Sequence, residues 1–221
     1  MEPGPSKTSN GPSHDHWTQV HATKKVDDVS WWQAKSDLWI ELIEAVSPDV
    51  EARIIDVGAG SSLLVDAMLD RGYTHMSVLD LAEPALANVR NRLAKRPDQE
   101  SAQDHVEFIS ADVRTYRSAI GFDLWHDRAV LHFLTDPTDV AAYRTSVMAN
   151  LNPGGFAVIA TFALDGPEQC SGLAVQRYDA DALVAAMGNA FTLITHERRI
   201  HRTPWEAEQP FTVVTLQRRK T

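Results

Sequence analysis

The residues best placed to do chemistry lie where short apolar runs end. Arg53-Ile-Ile-Asp-Val57 runs straight into Gly58-Ala-Gly60. Glycines there let the main chain take conformations closed to residues with a Cβ, and let a ligand approach the backbone closely. A bare GxG also serves ordinary strand-to-helix turns, and the third glycine of a pyrophosphate-binding loop is missing, since that position is Leu63. Asp80 ends the next apolar run, at the distance where a carboxylate accepts hydrogen bonds from both hydroxyls of a ribose; the structural alternative is a helix cap. After a third run comes Ser110-Ala-Asp112-Val113, where a side-chain oxygen can meet an adenine amino group and Val113 can cover the ring. A fourth run ends in Trp125-His126-Asp127-Arg128, with His132 one helical turn further on. Three polar residues in succession at such a point suit a ligand site; the alternative is an Asp127–Arg128 ion pair at a helix start, with Trp125 and Phe133 filling core.

The elements that must position these groups follow from periodicity. Apolar residues recur at helical spacing from Ser30 to Val46 (Trp31, Leu38, Ile40, Leu42, Ile43), and Ser47-Pro48 stops the run. Strands are expected at 53–57, 75–80, 105–110, 122–126 and 155–162, and helices at 61–71, 82–95, 136–150 and 178–187. Asp136-Pro137 is a strong helix start, with a capping carboxylate and proline at the first helical position. Strands alternating with helices at this spacing imply right-handed crossovers and an α/β, doubly wound, mostly parallel sheet with helices on both faces. The alternation breaks at the end, where 191–200 and 210–218 are two extended segments without a helix between them and should pair antiparallel. A nicotinamide dehydrogenase would repeat the strand-helix-strand pattern there.

Composition narrows the partners. The 221 residues and 43% hydrophobic content suit one continuous core. A formal net charge of -9 argues against nucleic acid or an anionic membrane surface and for a small-molecule or protein partner. No run of ~18 apolar residues occurs that could span a bilayer. The single cysteine, Cys170, forms no intramolecular disulfide and fits a reducing, cytoplasmic setting. Residues 1–16, rich in Pro, Gly, Ser and His, are expected to be a disordered tail, and His14 and His16 to be solvated, so no metal site is expected.

In chain order, IIDVGAGSS (54–62), VLDLAEPAL (78–86), ISADV (109–113), FDLWHDRAVLHFL (122–134) and LNPGGFAVIATF (151–162) resemble the successive motifs of class I S-adenosylmethionine (SAM) dependent methyltransferases. WHDRAVLHFL in particular resembles a bacterial subgroup of small soluble members. The resemblance spans roughly residues 17 to 218 and implies a Rossmann-like seven-stranded sheet with its last strand reversed, in agreement with the terminal hairpin. It implies SAM as cofactor and S-adenosylhomocysteine (SAH) as product. On this pattern Asp56 with Gly58, Ala59, Gly60 and Ser61 holds the methionine end, Asp80 with Leu81 the ribose, and Asp112 with Val113 the adenine. The usual third loop glycine is Ser62 here, which departs from the family's loop shape. In the family the stretch after the fourth strand touches the amino-acid end of SAM and the acceptor. Asp127 would then take the SAM ammonium, His126 or His132 would act as general base, and Arg128 would orient an anionic acceptor or pair with Asp127. A segment before the sheet often folds over the cofactor in this family. Residues 17–47 are expected to form that arm, with Trp31 or Trp32 covering the sulfonium or simply packing, ahead of a catalytic domain at 48–221.

The function expected is methyl transfer to a small-molecule nucleophile, for which a thiol or other chalcogen compound is a candidate because a thiolate needs little beyond positioning and a nearby base. The alternatives are a protein lysine methyltransferase, with Asp165, Glu168 and the tryptophans guiding the amine, and a non-catalytic SAM-binding partner or regulatory module. Cys170 would line the acceptor site or be a buried bystander.

Overall fold

The computed structural model describes residues 13–33, 37–47, 49–97 and 104–220. The first twelve residues of the expected tail lie outside them.

Among the described residues, nine strands and six α-helices follow one another along the chain. The strands are β1 (Ile54–Val57), β2 (Met76–Asp80), β3 (Val106–Ser110), β4 (Phe122–Arg128), β5 (Leu151–Phe162), β6 (Gln169–Cys170), β7 (Leu173–Ala174), β8 (Phe191–Arg202) and β9 (Glu208–Arg218). The helices are α1 (His14–Thr23), α2 (Asp37–Val46), α3 (Leu64–Leu69), α4 (Glu83–Leu93), α5 (Pro137–Asn150) and α6 (Ala180–Met187). Seven strands form one sheet in the order β3-β2-β1-β4-β5-β9-β8, and β6 and β7 form a small separate hairpin. Strands β1 to β5 pair in parallel, while β9 runs antiparallel to both β5 and β8. This is the doubly wound sheet closed by a reversed strand that the sequence implies.

All positions of β1 and β2 are buried, as strands covered on both faces must be. Side chains alternate between two apolar layers. Ile54 and Leu124 join the layer of Ile40, Ile43, Met68 and Val89 from α2, α3 and α4. Ile55, Val57 and Trp125 join Tyr143, Val147, Leu183 and Met187 from α5 and α6. The chain winds outward from β1 to β3 and then returns to β4 beside β1, so the strand order reverses between β1 and β4 and opens a crevice beyond their carboxyl ends.

Strand β5 begins at Leu151, before the expected 155, the terminal strands β8 and β9 each extend two residues further into their hairpin, and four other boundaries differ from expectation for reasons of hydrogen bonding. The helix expected from Ser30 begins at Asp37, because the carbonyls of Ser30 and Trp31 accept from His201 and Arg128 rather than from a following helical turn. The helix expected from Ser61 starts at Leu64, because Arg92 takes the carbonyls of Ser61 and Ser62. Strand β4 continues past His126 to Arg128, since Asp127 and Arg128 pair with Ile159 and Ala160 of β5. Helix α1 starts inside the supposed tail, at His14, with the Ser13 hydroxyl accepting from the His16 N–H. Asp136 caps α5 as expected, accepting from the Thr138 N–H at 2.8 Å. No helix among the described residues is long and apolar enough to cross a membrane.

Candidate active site

The glycine turn after β1 forms one wall of a cleft at the strand reversal. Gly58 and Gly60 both hold positive φ, 60° and 56°. A Cβ on Gly58 would lie 2.0 Å from the Val130 Cγ2, so two constraints require glycine there. Asp80 ends β2 with its carboxylate buried beside this turn. One oxygen accepts from the Gly60 N–H at 2.8 Å and the other from the Ala82 N–H at 2.8 Å. Burial pushes the Asp80 carboxyl above its ordinary range, against the Ala82 N–H, the charge of a protonated His21 and the Gly60 N–H, all of which favour the carboxylate. Each oxygen keeps a second lone pair, and Asp80 lines the cleft, so a vicinal diol can be held there.

Arg92 fixes the outer rim of the turn. Its guanidinium grips the Asp66 carboxylate at 2.7 Å and donates to the carbonyls of Ser61 and Ser62. The Asn88 amide reaches the Ser61 hydroxyl at 3.3 Å. On the far side Leu81, Asp112 and Val113 line the cleft. Asp112 is already engaged, because Arg114 binds it through its backbone N–H and its side chain and extends to Asp139 at 2.8 Å. Burial works against the Asp112 charge, but these Arg114 contacts prevail and hold the carboxyl below its ordinary range.

The parallel register of β1 and β4 sets Asp56 beside His126. The imidazole Nδ1 meets Asp56 Oδ1 at 2.7 Å with both side chains almost fully buried. A carboxylate only accepts, so in the neutral ring Nδ1 carries the proton and Nε2 presents its lone pair. That Nε2 is buried, has no partner among the described residues, and belongs to a side chain that lines the cleft. The Trp39 ring sits edge-on to this imidazole at 5.6 Å. Two residues along, on the same strand face, Arg128 donates to the Trp31 carbonyl at 2.7 Å and lies over Trp39 at 5.5 Å. Burial lowers its pKa to about 10 although Asp56 opposes the fall.

Strand alternation sends Asp127 to the opposite face, a correction to its expected place beside the cofactor ammonium. Asp127 is fully buried and does not line the cleft. It accepts from the Tyr143 hydroxyl at 2.6 Å and from the N–H groups of Val130 and Leu131 at 2.8 and 3.2 Å, so it caps the short 3-10 turn Leu131–Phe133. It makes no pair with Arg128 either. His132 is the second correction. Its ring packs against Phe133 and Phe162 at 4.4 and 4.7 Å, away from the cleft, and burial alone drives its pKa down to about 3.

Helix α1 and the segment after it complete the walls. Trp17, His21, Trp31 and Phe133 form a contiguous aromatic roof, and the His21 ring lies where a Gly60 Cβ would touch it at 3.4 Å. Trp32 and Cys170 also face the cleft. A relay ties residues 30–33 to the sheet: Trp39 donates to Gln33, Gln33 donates to His201 Nδ1, and His201 Nε2 donates to the Ser30 carbonyl. His21, Trp39, Arg92 and His201 carried no sequence signal of their own, since each reaches its partners from an element remote from the motifs, and Arg114, just after ISADV, was passed over because its pairing with Asp112 and Asp139 shows only in the fold.

This architecture is shared with known structures. A structure solved for the conversion of a disulfide bond into a thioacetal group during echinomycin biosynthesis superimposes with a TM-score of 0.72 at 16% identity, over 95% of this chain and 94% of that one. The N-methyltransferase NodS of Bradyrhizobium japonicum WM9, in complex with SAH, gives 0.65 at 16% identity, over 92% and 99%. The 1,6-didemethyltoxoflavin-N1-methyltransferase of Burkholderia thailandensis gives 0.64 at 22% identity, over 83% and 81%. This is a methyltransferase fold. Residues 55–157, somewhat under half of the chain, match the family described as a methyltransferase domain. No match was found among curated protein sequences. Within this fold the cleft suits a nucleoside sulfonium: a turn with two glycines at positive φ and no room for a Cβ at Gly58, a buried carboxylate with lone pairs to spare, and aromatic rings above.

Gly58→Ala should lower stability by about 1–3 kcal/mol, through left-handed strain and displacement of Val130, which chemical denaturation would measure. Burial raises the Asp127 carboxyl to about 6 from 3.8 despite the Tyr143, Val130 and Leu131 bonds. A raised folded-state pKa contributes stability that is complete below about pH 4 and is lost as pH rises through about 6, roughly 3 kcal/mol in all. Asp127→Asn should therefore gain about that much relative to the unsubstituted protein between pH 4 and pH 7; a constant difference across that range would remove the assignment.

Proposed function

We propose that the protein transfers a methyl group from SAM to a small-molecule nucleophile, with thiols and other chalcogen compounds as the first class to test. The observation that carries this is the buried Asp80 carboxylate beside the Gly58–Gly60 turn, at the strand reversal of a methyltransferase fold. Gly58, Ala59, Gly60 and Ser61 would cradle the methionine end together with the free oxygen of Asp56. Asp80 and Leu81 would hold the ribose, and Val113, with Asp112 if Arg114 yields a lone pair, the adenine. SAM supplies an electrophilic methyl group on a sulfonium. The chain's own tasks are to exclude water, to hold the acceptor in line behind that methyl, and to take up the acceptor proton.

His126 Nε2 is the proton acceptor best placed for this, and Asp56 orients its ring and stabilises the imidazolium that forms. The roof of Trp17, Trp31 and Phe133 excludes water from the same space. The protein of Burkholderia thailandensis binds a small heterocycle, 1,6-didemethyltoxoflavin, in a fold of the same kind, which supports a small acceptor. Two observations weigh against the lysine alternative. Asp165 is bound by Arg198 and Glu168 by Arg177, and neither carboxylate lines the cleft. A partner or regulatory module would bind SAM without turnover.

Asp80→Ala should weaken SAH binding at least tenfold in calorimetric titration while leaving the circular dichroism unchanged, because charge-assisted hydrogen bonds are worth about 1.5–3 kcal/mol each. Unaltered affinity would sink the ribose assignment. His126→Asn, which keeps a donor for Asp56 but no basic nitrogen, should lower kcat by on the order of 10²-fold in an SAH-release assay with thiol acceptors, with little change in SAH affinity. Normal turnover would place proton removal elsewhere.

A further inference from the structure

The acceptor end of the cleft holds a buried cation with which no carboxylate among the described residues is bonded. Arg128 spends one terminal nitrogen on the Trp31 carbonyl, and its Nε is buried without a partner. No carboxylate among the described residues forms an ion pair with it. Asp56 acts on it through space but makes no hydrogen bond to it, giving one oxygen to His126, and Asp127 faces the other side of the sheet toward Tyr143. A second cation lies in the same region, since the Cys170 thiol, which lines this wall, feels the charges of both Arg128 and Lys24. His201, also beside Arg128, stays neutral, as burial and the Arg128 charge hold its pKa below the ordinary value while its Nε2–H donates to the Ser30 carbonyl. At the cofactor end the signs reverse: Asp80 has no cationic side chain bonded to it, and Asp112 is matched by Arg114. A buried charge needs a partner, and guanidinium is the side chain best shaped to take a carboxylate in two parallel bonds.

We propose that Arg128 is an anion-binding subsite for the methyl acceptor, which is therefore a small organic acid carrying its nucleophile within a few bonds of a carboxylate. The spacing follows from the strand. His126 and Arg128 stand two residues apart on one face of β4, roughly 7 Å between their Cα atoms, so a molecule whose acid group meets Arg128 presents a neighbouring heteroatom to His126 Nε2. Trp39, which contacts both side chains, and Trp32 offer apolar surface for the body of such a molecule. This rests on the reading of the cleft as a methyl-transfer site. A carboxylate also occurs on SAM itself, and the test separates the two sources.

The probe is benzoate, with benzamide as its uncharged isostere, titrated into the SAH-loaded protein while tryptophan fluorescence is followed. Benzoate should quench saturably with a Kd at least tenfold below that of benzamide. Arg128→Gln should abolish the difference while SAH affinity stays within about threefold, and Arg128→Lys should restore part of it. In turnover, thiosalicylate and 3-mercaptopropionate should exceed their methyl esters at least tenfold in kcat/KM, an advantage lost in Arg128→Gln mainly through KM. Equal binding of benzoate and benzamide, or no binding of either, overturns the proposal. So does a tenfold loss of SAH affinity in Arg128→Gln with the benzoate preference intact, which would give Arg128 to the cofactor carboxylate. Failure of the unsubstituted protein to bind SAH would instead bring down the methyl-transfer reading, and the acid subsite with it.

Discussion

Charged groups buried at the carboxyl ends of adjacent parallel strands constrain everything around them, because each must be solvated by the protein instead of water. Asp56 is solvated by an imidazole, Asp80 by two backbone N–H groups, and Asp127 by a phenol and two N–H groups. These bonds dictate the local chain path. The glycine turn must curl so that the Gly60 N–H meets Asp80, and the chain after β4 must tighten into a 3-10 turn so that Val130 and Leu131 meet Asp127. Ala129 takes a positive φ of 70° at that corner, a strained conformation that joins the end of β4 to the turn.

The two faces of β4 divide the labour. On the cleft face, His126 and Arg128 are left with buried nitrogens that nothing among the described residues satisfies. On the other face, Asp127, Tyr143 and Trp125 form a closed chain of hydrogen bonds among fully buried side chains.

The roof has a different character from the floor. The floor is set by strand pairing and by glycines that have no alternative conformation. The roof, α1 with residues 29–33, is held by aromatic contacts and by single hydrogen bonds from Arg128, Gln33 and His201. Trp17 and Trp31 also pack against the first apolar layer, but no strand pairing runs through the roof, so it can loosen around a ligand while the sheet stays paired.

What could be read from the residues in order was the part governed by local rules. Strand-helix alternation, the terminal hairpin, the glycine turn, Asp80 and the Asp136-Pro137 helix start all depend on neighbours in sequence, and periodicity and turn chemistry exposed them. Asp127 was misplaced because pairing with β5 carries β4 on through Arg128, and strand alternation then turns Asp127 to the face opposite His126; His132 was misplaced because the 3-10 turn that follows packs its ring against Phe133 and Phe162. The pairing of β4 with β1, across 70 residues, made Asp56 and His126 a dyad. His21, Trp39, Arg92 and His201 were invisible for the same reason, as each acts through a partner far away in the chain. Sequence by itself determined the architecture and the positions of the glycine turn and of Asp80 at the strand ends, because these repeat local patterns. Only the tertiary structure decided which polar groups were satisfied by the protein and which, like Arg128, were left for a ligand, because satisfaction is a property of neighbours in space.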